Sequence, residues 1–119
     1  MGLSDGEKSR FEADGYVVRP RLFGLDTVRP IQNEIQDLQE RMAAEAPAGV
    51  GVSWEASDDP ERPDLIRQLM HSEVVSPDLN TMLRSDTMVD IVSGLIGPEV
   101  SLYHSKLLMK AANDGTAIP

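Results

Sequence analysis

The chain carries two histidines, and one of them opens the triplet His71-Ser72-Glu73. Imidazole nitrogen and carboxylate oxygen in this spacing can share an iron ion, provided a third ligand completes the set. The sequence names no third ligand, so the plainer reading of the triplet is a solvated helix end. The other histidine stands in Leu102-Tyr103-His104-Ser105-Lys106, where it reads as a strand residue bonded to backbone. Asp58, Asp59 and Glu61 gather carboxylates in one stretch, but without EF-hand spacing, and a solvated turn is the simpler account. The absence of cysteine excludes disulfides, thiolate nucleophiles and cysteine zinc sites, and agrees with a reducing cytoplasm. The formal net charge of -9 argues against nucleic acid as a partner, because phosphate contacts need clustered Lys and Arg.

A scaffold of modest size has to place these groups. With 119 residues, 40% of them hydrophobic, the chain suffices for one domain at most and a modest core. No apolar run is long enough to make a transmembrane helix. The N-terminus lacks the basic-then-apolar pattern of a secretion signal, and Gly6 stands where a myristoylation motif wants Ser or Thr. A soluble, cytoplasmic protein is the expectation.

Ser4, with Glu7 three residues on, forms a capping box for a short helix over residues 5–13, and Asp14-Gly15 breaks it. Tyr16-Val17-Val18 reads as a short strand that Pro20 ends or confines to an edge. Leu25, Val28, Ile31, Ile35, Leu38 and Met42 recur at spacings of three and four and predict an amphipathic helix over 25–46. Asp26 would cap it, Pro30 would fall at the end of its first turn, and Pro47 would stop it. Residues 47–63, punctuated by Gly49, Gly51, Pro60 and Pro63, read as an irregular excursion with Trp54 tucked against the body. Asp64 to Met70 reads as a helix or helical turn. Pro77 after Ser76 starts another helix, Ser85 or Asp86 caps a third, and Gly97-Pro98 stops it. Residues 100–110 read as a strand buried on both sides toward its end. Met42, Met82, Met88 and Met109 all fall on apolar faces, which fits core filling better than a plastic binding surface.

Four local patterns, taken in order, resemble the phytanoyl-CoA dioxygenase family. Phe11-Glu12-Ala13-Asp14-Gly15-Tyr16-Val17-Val18 is similar to its opening helix, F-x-x-D-G-Y turn and strand. Leu22-Phe23 before the 25–46 helix is similar to its next element. Leu95-Ile96-Gly97-Pro98-Glu99-Val100 resembles its L-L-G-P-x-V junction. Tyr103 to Lys110, followed by Asp114-Gly115, resembles the strand and loop that precede its His-x-Asp metal motif.

The resemblance implies an α+β chain of helices flanking a few strands. It would be the N-terminal part of a double-stranded β-helix, or jelly roll, with its core incomplete, so that residues 1–119 form a single incomplete domain. It implies an iron(II)/2-oxoglutarate-dependent oxygenase whose full-length form hydroxylates or otherwise oxidises a small molecule. Iron would sit on a 2-His-1-carboxylate triad, with open positions for 2-oxoglutarate and oxygen. None of those ligands is matched here: His104-Ser105-Lys106 is not His-x-Asp, and the His71 triplet carries Glu in third place. No catalytic or metal residue is therefore carried over, and neither iron nor 2-oxoglutarate is expected to bind this chain. Lys110 carries over as the residue facing the 2-oxoglutarate side, where a compact positive charge suits a carboxylate, with Tyr103 and Leu108 lining the same cavity. Its alternative is a surface lysine at a strand end. The metal motif is expected beyond Pro119. The strand at 100–110 would then present an unpaired edge, leading to dimerisation, strand exchange or marginal stability. The competing reading is a non-catalytic helical interaction module using the apolar strand and the Trp54 loop, and a third is an unrelated small α+β domain.

Overall fold

A computed structural model describes residues 2–56, 60–61 and 64–110. Among these, five helices and three strands follow in the order α1 Asp5–Asp14, α2 Leu25–Ala44, β1 Val52–Glu55, β2 Leu65–Met70, α3 Ser72–Val75, α4 Pro77–Leu83, α5 Asp86–Ile96 and β3 Lys106–Leu108. The architecture is α+β, an antiparallel sheet of order β1-β2-β3 with α2 packed against one face. Asp58, Asp59 and residues 111–119, including Asp114-Gly115, lie outside the described residues.

The helix ends follow local chemistry. The Ser4 hydroxyl accepts from the Glu7 N–H at 3.2 Å, and Glu7 accepts from the Ser4 N–H at 2.8 Å. Gly15 closes α1 in the left-handed region, at φ 80°, where a Cβ would be strained. Ser76 caps α4 by accepting from Leu79 N–H, and Ser85 caps α5 by accepting from Met88 N–H. No helix among the described residues is long and apolar enough to cross a membrane.

The apolar stripe of α2 builds the core. Leu38 and Met42 pack with Val50, Ile66, Leu69 and Val75, while Ile35, Val52, Leu107 and Met109 lie against the cluster. Leu38 and Leu69 are fully buried, each contributing about 1.5–3 kcal/mol by apolar burial alone. The stripe does not run the whole helix, since Leu25 remains 65% exposed. Polar side chains of α2 fasten the rest. Gln39 donates to Asp64 C=O at 2.7 Å and accepts from Ile66 N–H at 2.9 Å, which fixes where β2 begins. Arg41 donates to Val75 C=O at 3.1 Å. The Glu34 carboxylate accepts from the Ser76 hydroxyl and from Asp78 N–H, tying α2 to the start of α4.

Five sequence expectations are corrected. Asp64 to Met70 is strand β2 rather than a helix, and residues 52–55 of the supposed irregular excursion form β1. Tyr16-Val17-Val18 is not a strand: it meets no partner among the described residues, and Tyr16 and Val18 are exposed. A strand without a ladder leaves its backbone bonds to water and gains nothing from being extended. Of residues 100–110, only Lys106–Leu108 are strand, with just one side chain of the three half-buried. α2 stops at Ala44 and is capped by Gly24; Asp26 instead accepts from the adjacent Thr27 N–H, and Pro30 sits at the sixth helical position.

The Cα radius of gyration is 16.9 Å, against ~13.5 Å for a compact domain of this length. The small cluster under α2 does not draw α1 in. That helix buries none of its residues, and its neighbour is α5, where Leu3 approaches Gly94.

Candidate functional site

The polar groups singled out in the sequence converge where β2 ends, α3 begins and β3 starts. His71 takes a left-handed conformation, φ 57°, which turns the chain sharply out of β2. That conformation is uncommon outside glycine, although Asn, Asp and His adopt it more often than other residues. It is held by the His71 N–H donating to Ser105 C=O at 2.8 Å. The turn brings Ser72 and Glu73 onto the segment entering β3. The Ser105 hydroxyl donates to the Glu73 carboxylate and accepts from Glu73 N–H at 3.1 Å, and the fully buried Ser72 hydroxyl shares a hydrogen bond with Ser105. On its other oxygen Glu73 meets His71 Nδ1 at 3.4 Å.

Glu73 is therefore not the solvated helix-end residue expected; its side chain is only 15% exposed. Burial pushes its carboxyl up, but hydrogen bonds from Ser105, from its own N–H and from His71 outweigh this and hold it below the usual carboxylate range. Such a group stays ionised near neutral pH and acts as an acceptor, not as a proton carrier. The Ser105 proton points at this carboxylate and the imidazole contacts the opposite oxygen, so the two side chains together hold the carboxylate in place. The cluster pins α3 to β3. The sequence hides it, because Ser105 lies 32 residues from Glu73 and nothing in either local pattern links the two.

His104 is exposed and precedes β3, instead of being the backbone-bonded strand histidine expected. Its ring stands edge-on to Tyr103 at 4.8 Å and to His71 at 6.3 Å between centroids. Two imidazoles and one carboxylate thus lie in one neighbourhood. Even so, no group of three or more metal-ligating side chains among the described residues is placed to hold a metal ion. The described residues do not fit an iron site.

Lys110, Leu108 and Tyr103 are all exposed, and Tyr103 retains 89% of its surface. Leu69 pairs with Leu107, and Leu107 and Met109 pack against the core. Strand alternation therefore puts Lys106, Leu108 and Lys110 on the opposite face of the sheet, away from α2. Leu108 and Lys110 share that face, which no element covers among the described residues. Tyr103 lies apart from it, against His104.

A groove of about 630 Å³ runs between α5 and the segment after it. Its walls include Leu83, Met88, Val89, Val92, Val100 and Leu102, so the segment before β3 contributes Leu102 to it and not Tyr103. A smaller cleft lies between the start of α2 and the α4–α5 junction, bordered by Phe23, Asp26, Thr81 and Ser85.

Fold and site together define an α+β chain with a structural polar pin and a sheet that, among the described residues, packs its core on one face. No family model, curated protein or solved structure matches this chain.

Proposed function

We propose that these residues form the N-terminal portion of a cytoplasmic iron(II)/2-oxoglutarate-dependent oxygenase of the phytanoyl-CoA dioxygenase type, which oxidises an unactivated C–H bond of a small molecule. The observation that carries this reading is the two-sidedness of β3. Leu107 and Met109 seat it on the helical layer, while Lys106, Leu108 and Lys110 occupy the opposite face. A sheet wall with helices on one side is the arrangement expected of a jelly-roll layer before its second sheet closes a cavity on the other side. Lys110 then presents a cation to a carboxylate co-substrate in that cavity. Iron, where a longer chain holds it, supplies the oxidising chemistry. The described residues offer no ligand set, and no chemical step is assigned to them.

The reading also requires Tyr16-Val17-Val18 to join the same sheet, and that segment has no partner among the described residues. A second reading, a non-catalytic interaction module, is favoured by the apolar groove along α5. One experiment separates the two. The chain would be produced with its native downstream sequence, and iron(II)-dependent conversion of 2-oxoglutarate to succinate would be measured. The oxygenase reading predicts turnover, with Lys110→Ala raising the 2-oxoglutarate requirement and Lys106→Ala leaving it near the parent value. Absence of turnover from a folded extended protein across a panel of small hydrophobic acids and their thioesters overturns it.

A further inference from the structure

The two edges of β3 are not equivalent. On the β2 side, His71 N–H donates to Ser105 C=O and Met109 N–H donates to Arg67 C=O, at 2.8 and 2.9 Å, with Leu107 opposite Leu69 between them. In an antiparallel ladder the residues that bond one neighbour alternate with those that bond the other. The N–H and C=O groups of Lys106 and Leu108 consequently point to the far edge. No strand pairs there among the described residues. The side chains at these positions stand on the face away from α2. The edge thus offers a backbone ladder carrying Lys106, Leu108 and Lys110 in a row: cation, apolar, cation.

From this we propose that the outer edge of β3 takes an extended acidic segment by strand addition, its alternate side chains running acidic, apolar, acidic against Lys110, Leu108 and Lys106. Charge selects this occupant. Both lysines are exposed and make no ion pair among the described residues, on a chain whose net charge is -9. A second copy of β3 fits worse. Pairing Leu108 with its own counterpart sets Lys106 directly opposite the other copy's Lys110. Shifting the register to pair Lys106 with Leu108 brings the two Lys106 side chains diagonally together. Like charges so placed are destabilising, and edge lysines are a known guard against self-pairing. An acidic strand turns the same lysines into attraction. This inference concerns the edge itself and does not depend on the oxygenase reading.

The test uses the 119-residue chain and an end-blocked heptapeptide with Glu at its second and sixth positions, Leu at the fourth, and Val or Thr elsewhere. Binding is followed by backbone amide NMR. The expected result is saturable binding with the largest shifts at Lys106 and Leu108 amides, weakened by salt. Replacing both cations, Lys106→Gln with Lys110→Gln, should weaken it by ~5–20-fold, the loss of two cross-strand charge pairs. The same peptide N-methylated at its second, fourth and sixth residues, whose N–H groups face β3, keeps every charge but cannot form the ladder, and it should not bind. Equal binding of the methylated peptide means simple charge attraction and overturns the proposal. So does absence of any shift in a chain whose spectrum shows it folded. Sedimentation showing a dimer paired through β3 overturns it in favour of a second copy.

Discussion

Replacing Ser105 by Ala removes the hydroxyl at the centre of the joint between α3 and the start of β3. In the parent it donates to a mostly buried carboxylate, accepts the Glu73 N–H and satisfies the buried Ser72 hydroxyl. A hydrogen bond to a charged group is worth about 1.5–3 kcal/mol, and stranding buried partners adds to the loss, so a destabilisation of about 2–3 kcal/mol follows. For a domain of this size that lowers Tm by about 8–12 °C. The effect should depend on pH, with a sign fixed by Glu73. Its folded carboxyl lies below the ordinary value of 4.5. The stability it brings is therefore fully present above that value and disappears as pH falls through the lower, folded one. The gap between parent and Ser105→Ala should thus be widest near pH 7 and shrink as pH falls below 4.5. Urea unfolding followed by Trp54 fluorescence and far-UV circular dichroism reads it, since Trp54 sits on β1 opposite Ile66. A loss under ~0.5 kcal/mol at pH 7, or a gap that stays constant down to pH 3, refutes the pin.

Leu38→Ala, at a fully buried site on α2, should cost about 3 kcal/mol in the same unfolding assay. Glu34→Ala removes the acceptor for the Ser76 hydroxyl and Asp78 N–H at the start of α4; it should cost about 1–2 kcal/mol and speed amide exchange in α4. Replacing both edge cations by Thr removes the charge guard from β3, and sedimentation velocity should then show association that the parent does not.

Helix chemistry was legible in the sequence wherever a cap or a stripe is written locally. Ser4 with Glu7, Ser76-Pro77, Ser85 and Gly97 mark ends that the structure keeps, and Ile31, Leu38 and Met42 face the core as their spacing requires. The sheet was harder to read, and β2 shows why. Ser53 pairs with Gln68 but Trp54 pairs with Ile66, so Arg67 is an extra residue in the ladder. That bulge shifts the alternation by one and puts Ile66 and Leu69 on the same face, three residues apart. The spacing imitates a helix. β1 did carry a readable signal, since Val52-Ser53-Trp54-Glu55 alternates apolar and polar, but the surrounding Gly and Pro masked it. Tyr16-Val17-Val18 has strand composition and no ladder, because pairing depends on a partner that composition cannot specify. Lys110 is exposed just past the end of β3, on the side that continued alternation gives it. The Glu73–Ser105 bond was not legible in the sequence, being a contact across distant chain that only the His71 turn creates.

The oxygenase reading stands or falls most directly on the coding sequence that follows the codon for Pro119. The account predicts an open frame that reaches a His-x-Asp motif almost at once, followed further on by the distant His and an Arg for the 2-oxoglutarate carboxylate. A stop codon at that point, or a frame running on without those residues, contradicts it.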